Sequence, residues 1–361
     1  MELLSINRVM VRVPNWVGDA VMALPALREL RRIFARSQIT LLARPWVAGL
    51  FDGEGLADNV IPTHDSQGRA QTVVDFIREA RRLRRERHDL AVLLQNAFGA
   101  ALFARAAGAK KIAGYSTDGR RPLLDLAIPF EPGYKTAHQV RYYLNIAAEL
   151  ERNLTGKSLV EMETAQPKLR VTGEQLERAR LMLEGFGIRA GEPCDRARIV
   201  ALSPGATNSR AKRWLAERFA ETADRLAERS GFQTIIVGGP SDVEVANEVA
   251  AGMQSRAAVL AGRTSIADLK AVLACASLVV SNDTGSAHVS AALGVPTVVI
   301  FGPTEHVSTR PLSDAATVVR HDVECSPCML RECPIDHRCM TRVEVDDVYR
   351  AAHDVLIGAA G

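Results

Sequence analysis

The chain is short of several things, and each shortage removes a class of function. No apolar run in its 361 residues approaches the roughly 18 that a membrane-crossing helix needs. Aromatic residues make up only 5%, too few for the stacking platforms of a single-strand nucleic-acid binder, so no nucleic-acid partner is expected. The glycine pattern G-x-G-x-x-G after the first strand, the mark of a nicotinamide dinucleotide site, is missing. The opening "MELLSINRVMVRV" has neither a basic n-region nor a small-residue cleavage site, which makes the cytoplasm the expected location.

What is present suits a two-domain globular protein. The length accommodates two cores of roughly 150 to 180 residues. The net charge of +3 conceals an imbalance: residues 1–160 hold 23 Lys/Arg against 16 Asp/Glu, net +7, and the remainder holds 22 against 26, net −4. The basic excess peaks in "REARRLRRERHD" (78–89). That stretch reads either as a solvated helix face or as attraction to an anionic acceptor or the anionic cytoplasmic membrane leaflet.

Short β-rich runs alternate with helical apolar spacing along both halves. "RVMVRV" (8–13), "QITLLA" (38–43), "DLAVLLQ" (89–95) and "KKIAGY" (110–115) read as buried strands in the first half. "ARIVALS" (197–203), "FQTIIVGG" (232–239), "AAVLAG" (257–262), "ASLVVSN" (276–282) and "PTVVIFG" (296–302) do so in the second. Such alternation implies α/β architecture, two Rossmann-like doubly wound domains facing a central cleft. The expected organisation is an N-terminal domain over 1–165 and a C-terminal domain over 166–340. A last helix within 341–361 is expected to pack back on the first domain.

Three strand-end turns carry the chemistry. In "SNDTGSAHVSAALG" (281–294) a strand runs into a helix whose first turn holds Thr284, Gly285 and Ser286, with His288 a turn further on. Four unpaired N–H groups and the macrodipole make such a terminus an anion site. Asp283 would repel phosphate there and suits sugar hydroxyls instead. "LSPGATNSRAKRW" (202–214) offers Thr207 and Asn208 as donors and Lys212 as a cation for a leaving phosphate. In "VGGPSDVEVANEV" (237–249), Asp242 or Glu244 could accept ribose hydroxyls. The turn "PNWVGDAVMALPALREL" (14–30) has one glycine, Gly18, followed by Asp19. If the second domain holds a nucleotide-linked donor, this carboxylate is free to act as a general base on the acceptor.

These segments, in this order and spacing, together with "QNAFGAALFARAAGAKKIAGY" (95–115), closely resemble glycosyltransferase family 9, the ADP-heptose:lipopolysaccharide heptosyltransferases. The likeness is strongest to the heptosyltransferase II branch. The resemblance implies a GT-B fold and inverting transfer of L-glycero-D-manno-heptose from ADP-heptose to the lipopolysaccharide inner core (heptosyl-Kdo-lipid A), at the cytoplasmic face of the inner membrane. It makes Asp19 the base and Lys212 the phosphate ligand, with Asp283, Thr284, Gly285 and His288 around the diphosphate and heptose. The chain has no Asp-x-Asp triplet, so no metal cofactor is expected in catalysis. A heptosyltransferase I-like enzyme, or another nucleotide-sugar transferase or epimerase of the same architecture, is the alternative.

One cluster stands apart. "CSPCMLRECPIDHRCM" (325–340) holds Cys325, Cys328, Cys333 and Cys339, with His337 among them. Four thiolates, or three and His337, match the ligand set of a structural zinc ion; free or redox-paired thiols and an iron–sulfur cluster are the other readings. A zinc-stapled, non-catalytic interaction protein is the remaining rival.

Overall fold

The computed structural model describes residues 5–63, 69–130, 133, 137–191, 197–207 and 209–358. It divides into two compact units, one ending at Pro167 and the other beginning at Lys168.

The first unit runs β1 (Arg8–Arg12), α1 (Val17–Met22), α2 (Leu24–Ile33), β2 (Gln38–Ala43), α3 (Pro45–Ala48), β3 (Asn59–Pro62), α4 (Arg69–Arg84), β4 (Leu90–Leu93), α5 (Phe98–Ala106), β5 (Lys111–Tyr115), β6 (Leu126–Ile128) and α6 (Gln139–Thr155). Its six strands are all parallel, in the order β3-β2-β1-β4-β5-β6. The central strands are continuous apolar runs because helices cover both faces. Met10, Leu42, Ala91, Leu93 and Ile112 are buried with Leu83 and Phe103 in one cluster.

The second unit runs α7 (Gly173–Gly185), β7 (Ala197–Ser203), α8 (Ala216–Ser230), β8 (Gln233–Ile236), α9 (Val243–Gly252), β9 (Ala257–Val259), α10 (Ile266–Ala274), β10 (Ala276–Asn282), α11 (Gly285–Ala292), β11 (Thr297–Ile300), α12 (His306–Thr309), β12 (Ala316–Val319), α13 (Arg338–Thr341) and α14 (Val345–Gly358). Its sheet, β12-β11-β10-β7-β8-β9, repeats the connectivity of the first, again all parallel. Thr172 caps α7 through a reciprocal box with Gln175, its hydroxyl accepting from the Gln175 amide at 3.2 Å.

In both sheets the chain reverses its direction of winding at the centre, between β1 and β4 and between β7 and β10. Ligands of doubly wound folds bind outside the strand ends at that switch point.

One expectation about the fold is corrected. The last helix belongs to the second unit: Val345, Val348 and Ala352 of α14 are buried in the cluster of Val298, Ile300 and Phe219. Arg225 of α8 reaches Asp346 at 2.5 Å, and Arg229 lies over the Tyr349 ring. The apolar stripe of α14 thus covers the face of β10 and β11 beside α8 rather than the first unit.

Candidate active site

In the first unit the residues after β1 form a turn leading into α1. Asp19 is the third residue of that helix, among amides that have no intrahelical acceptor. Its carboxylate is half-buried and accepts from the Tyr143 hydroxyl of α6 at 3.4 Å. Burial, and then the Asp19 charge, pushes the Tyr143 phenol well above its ordinary value, so it serves as a neutral donor. Gly18 sits beside Asp19, half-exposed.

Around this turn the neighbouring strand ends are tied together. Arg120 is completely buried and donates to the carbonyls of Tyr115 (2.8 Å) and Gln95 (2.6 Å) and to Asn96 Oδ1 (2.5 Å). Arg12 closes β1, with Nε on Gln95 Oε1 at 3.0 Å; burial, and then the charge of Arg44, lowers its pKa to about 10. Two exposed tryptophans flank the turn: Trp16, and Trp46, whose indole donates to the Asn15 carbonyl at 2.8 Å. Sequence reading missed Tyr143, Arg120 and both tryptophans.

In the second unit the predicted residues converge at the switch point. The chain leaves β7 through Pro204 and Gly205, and a short 3-10 turn, Arg210–Lys212, presents Lys212. From the end of β10, Asn282 holds this loop: its Nδ2 donates to the Pro204 carbonyl at 2.7 Å, and its Oδ1 accepts from the Trp214 amide at 3.0 Å. Lys212 Nζ is 2.7 Å from Asp283 Oδ2, which also accepts from the Thr304 hydroxyl at 2.8 Å. The negative charge that made Asp283 awkward beside a phosphate is therefore already paired with Lys212. Thr304, beyond β11, is a member the sequence did not announce.

Directly after Asp283 the chain enters α11. Thr284 is its N-cap, without a side-chain cap, and its hydroxyl lies 3.1 Å from Ser281 Oγ. The amides of Gly285 and Ser286 lie in the first turn, where helix geometry leaves them without internal acceptors. His288 is buried one turn on.

Of the two candidate ribose carboxylates the structure separates one from the other. Asp242, at the end of the loop after β8, is buried; its Oδ2 accepts from the Gly239 amide at 3.0 Å, while Oδ1 accepts no hydrogen bond among the described residues. Its carboxyl lies so close to Gly205 that a Cβ there would come within 2.2 Å of Cγ. Only glycine permits that approach. Glu244 is exposed on α9. Thr207 is exposed, its hydroxyl 3.5 Å from Ser241 Oγ; Asn208 lies outside the described residues.

The cysteine segment folds over the same edge of this unit. Cys325 and Cys328 are exposed, Cys333 is half-buried and Cys339 is buried, all four as free thiols. Burial, and then the charges of Cys325, Cys328 and Cys333, pushes the Cys339 thiol up to about 11. Among the described residues no three His, Cys, Asp or Glu side chains are gathered so as to hold a metal ion. The expected zinc shell is thus not assembled here. His337, the alternative ligand, is engaged elsewhere: Nε2 donates to the Ala211 carbonyl at 2.6 Å. The segment is stitched to the Lys212 turn by that bond and by Ala211 N to the Arg331 carbonyl at 3.0 Å. It is stitched to the end of β11 by the Ser326 hydroxyl on the Gly302 carbonyl at 2.6 Å.

Residues 76–338 match the model of glycosyltransferase family 9 (heptosyltransferase). The chain belongs to this family. It is similar to lipopolysaccharide heptosyltransferase 2 of Salmonella typhimurium, 29% identical over 87% of this chain and 88% of that one. Lipooligosaccharide heptosyltransferase 2 of Campylobacter jejuni is 27% identical over 97% and 98% of the two chains. Among solved structures, the ADP-heptose lipopolysaccharide heptosyltransferase II of E. coli superposes with a TM-score of 0.81 at 23% identity, covering 98% of this chain and all of the other. As a family 9 member the chain is a glycosyltransferase of α/β, GT-B type.

Proposed function

We propose that this glycosyltransferase moves heptose from ADP-heptose onto the inner core of lipopolysaccharide, as a heptosyltransferase II. The donor is held by the second unit. Lys212 and the α11 amides take the diphosphate, Asp242 Oδ1 takes a ribose hydroxyl, and Asp283, Ser286 and His288 line the heptose. Thr207 adds a hydroxyl at the loop edge. The carboxylate of Asp19, oriented by Tyr143, removes the proton from the acceptor hydroxyl. The oxygen then forms a bond to the anomeric carbon as the carbon–oxygen bond to the β-phosphate breaks, in one displacement that inverts configuration. The charge that appears on ADP falls on Lys212 and the helix terminus, so this reading needs no metal ion.

The observation that carries the reading is the Lys212–Asp283–Thr304 cluster at the start of α11. A cation pre-paired with a carboxylate is ready to be exchanged for a phosphate, releasing Asp283 toward sugar hydroxyls. Family membership and the heptosyltransferase 2 names of the relatives support the same donor and acceptor. We place the enzyme in the cytoplasm at the membrane surface; no helix among the described residues is long and apolar enough to cross a bilayer.

The test is incubation with ADP-heptose and truncated core acceptors, with mass spectrometry of the product. One heptose added to a heptosyl-Kdo acceptor is expected. Addition only to the Kdo acceptor would assign the enzyme to the first heptose instead, and calorimetric preference for UDP over ADP would remove the donor assignment.

A further inference from the structure

Helix α4 leaves an unusual face uncovered. Its inner row, Phe76, Ala80 and Leu83, turns toward the core, with Phe76 edge-on to Phe103 of α5 at 5.3 Å. Residues four apart lie one above another on a helix, so the outer face consists of two adjacent rows. One reads Val73, Ile77, Arg81, continued by Arg85 in the turn just past the helix; the other reads Val74, Arg78, Arg82. All seven are exposed, with Val73 at 57%, Val74 at 48% and Ile77 at 42%. Beyond its first turn the helix is therefore apolar and then, toward its end, cationic along one outward surface. Arg78 has a partner one turn away, Asp75 at 3.1 Å. Arg81, Arg82 and Arg85 make no ion pair among the described residues. The helix packed beside it, α5, carries a second exposed apolar pair one turn apart, Phe98 and Leu102.

We infer that this face of α4 and α5 is the surface by which the protein docks on an anionic lipid bilayer. The inference deepens the reading above, in which the acceptor is carried by a lipid. An interfacial helix inserts its apolar side chains between headgroups while its arginines, whose stems are themselves apolar, reach anionic phosphates. Val73, Val74 and Ile77 supply the first and Arg81, Arg82 and Arg85 the second, in sequence along the helix and the turn that ends it. The occupant is chosen by charge: the rows contain no acidic residue, and residues 1–160 carry the +7 excess of the chain. A protein partner would have to bring several carboxylates to this face. A nucleic acid would find no aromatic side chain among the arginines.

The full chain is sedimented with vesicles of phosphatidylcholine alone and with vesicles containing about one-third phosphatidylglycerol, at low and high salt. Binding to the anionic vesicles only, falling with salt, is expected. Arg81→Glu/Arg82→Glu/Arg85→Glu should weaken that binding by at least about 100-fold, taking about fivefold per basic residue. Val74→Asp/Ile77→Asp should weaken it by 10-fold or more. Both variants should keep the parent melting temperature within a few degrees and the parent rate on a water-soluble, delipidated acceptor. That rate also separates the two ideas: an inactive parent that still binds anionic vesicles defeats the heptose reading and leaves the docking face standing. Equal binding to neutral and anionic vesicles, no binding to either, or unaltered binding by the triple variant overturns the docking face. So does self-association abolished by Val74→Asp/Ile77→Asp, which would make the face a contact between copies, or loss of rate on the delipidated acceptor in the triple variant.

Discussion

Asp19 and its asparagine counterpart have the same shape, and the amide still accepts from the Tyr143 hydroxyl, but it cannot take a proton. Asp19→Asn should therefore reduce kcat by about 100-fold or more, with the ADP dissociation constant unchanged within twofold by calorimetry. A variant that instead lost ADP affinity while keeping its turnover would assign the carboxylate to the donor. The positions of Asp19, Lys212 and Asp283 in the candidate site were legible because strand-end turns are where a polar or charged residue has no packing reason to be. Tyr143 and Thr304 were not. Each reaches the cluster from a distant element, and a tyrosine inside an amphipathic helix or a threonine after a buried strand looks like ordinary packing until the sheet assembles. In this structure Asp283 Oδ2 is occupied by Lys212 and Thr304, so the proposed sugar-ligand role requires Lys212 to turn to the phosphate first.

At the scale of elements, the least regular segment also holds the site in place. The segment between β12 and α13 has few apolar residues to bury, yet it clasps the Lys212 turn at Ala211 from both sides, through the Arg331 carbonyl and the His337 ring. His337 adopts a left-handed φ of 56°, costly for a residue with a side chain, and its amide donates to Cys333 Sγ at 3.2 Å. His337→Ala should loosen the turn, raising KM for the donor about 5-fold or more with a smaller fall in kcat; His337→Gln, which restores a donor, should recover most of it. Equal kinetics in all three proteins would show that the turn holds itself.

A second element-level tie is Glu151 of α6, buried and bonded to Arg32 of α2 at 2.8 Å and to the Leu159 amide at 2.7 Å. The Arg32 hydrogen bond, against some burial, holds the Glu151 carboxyl below its ordinary value. Its folded-state affinity for a proton is thus lower than in the unfolded chain. Stability from this group is present above the ordinary glutamate pKa of about 4.3 and is lost as pH falls through the lower folded value. The melting temperature of Glu151→Gln should lie below that of the parent at pH 7, with the gap closing as pH falls from the ordinary glutamate range through the lower folded value. A constant gap across that range would mean that packing, not charge, is what the substitution removed.

At this scale the central strands were plain in the sequence, because continuous apolar runs are a strong signal; the longest helix, α6, was not read from it. Nor were the edge strands β3, β6 and β12. They are three or four residues long and half-exposed, and β3 ends in proline, which an edge strand tolerates. Helix α14 was recognised as a helix but placed against the wrong unit. Periodicity reports that a face is apolar without naming the surface that covers it.

The two units share one topology and differ in charge and in what their switch points present: a carboxylate with its phenol donor in the first, a lysine with a helix terminus in the second. If the proposed division of labour holds, binding ADP is the business of the second unit alone, and proton removal belongs to the first. Lys212→Ala should then weaken ADP binding by about 10-fold or more, since an ammonium to phosphate contact is a charge-assisted one, and should lower turnover as well. In the double variant with Asp19→Asn, the ADP dissociation constant should equal that of Lys212→Ala by itself, because residues without shared partners contribute independently. Turnover need not multiply in the same way, as groups acting in one transition state are strongly non-additive. An additional loss of ADP affinity in the double variant, beyond the product of the two single effects, would mean that Asp19 and Lys212 act on a common ligand, and the base would have to be sought elsewhere in the first unit.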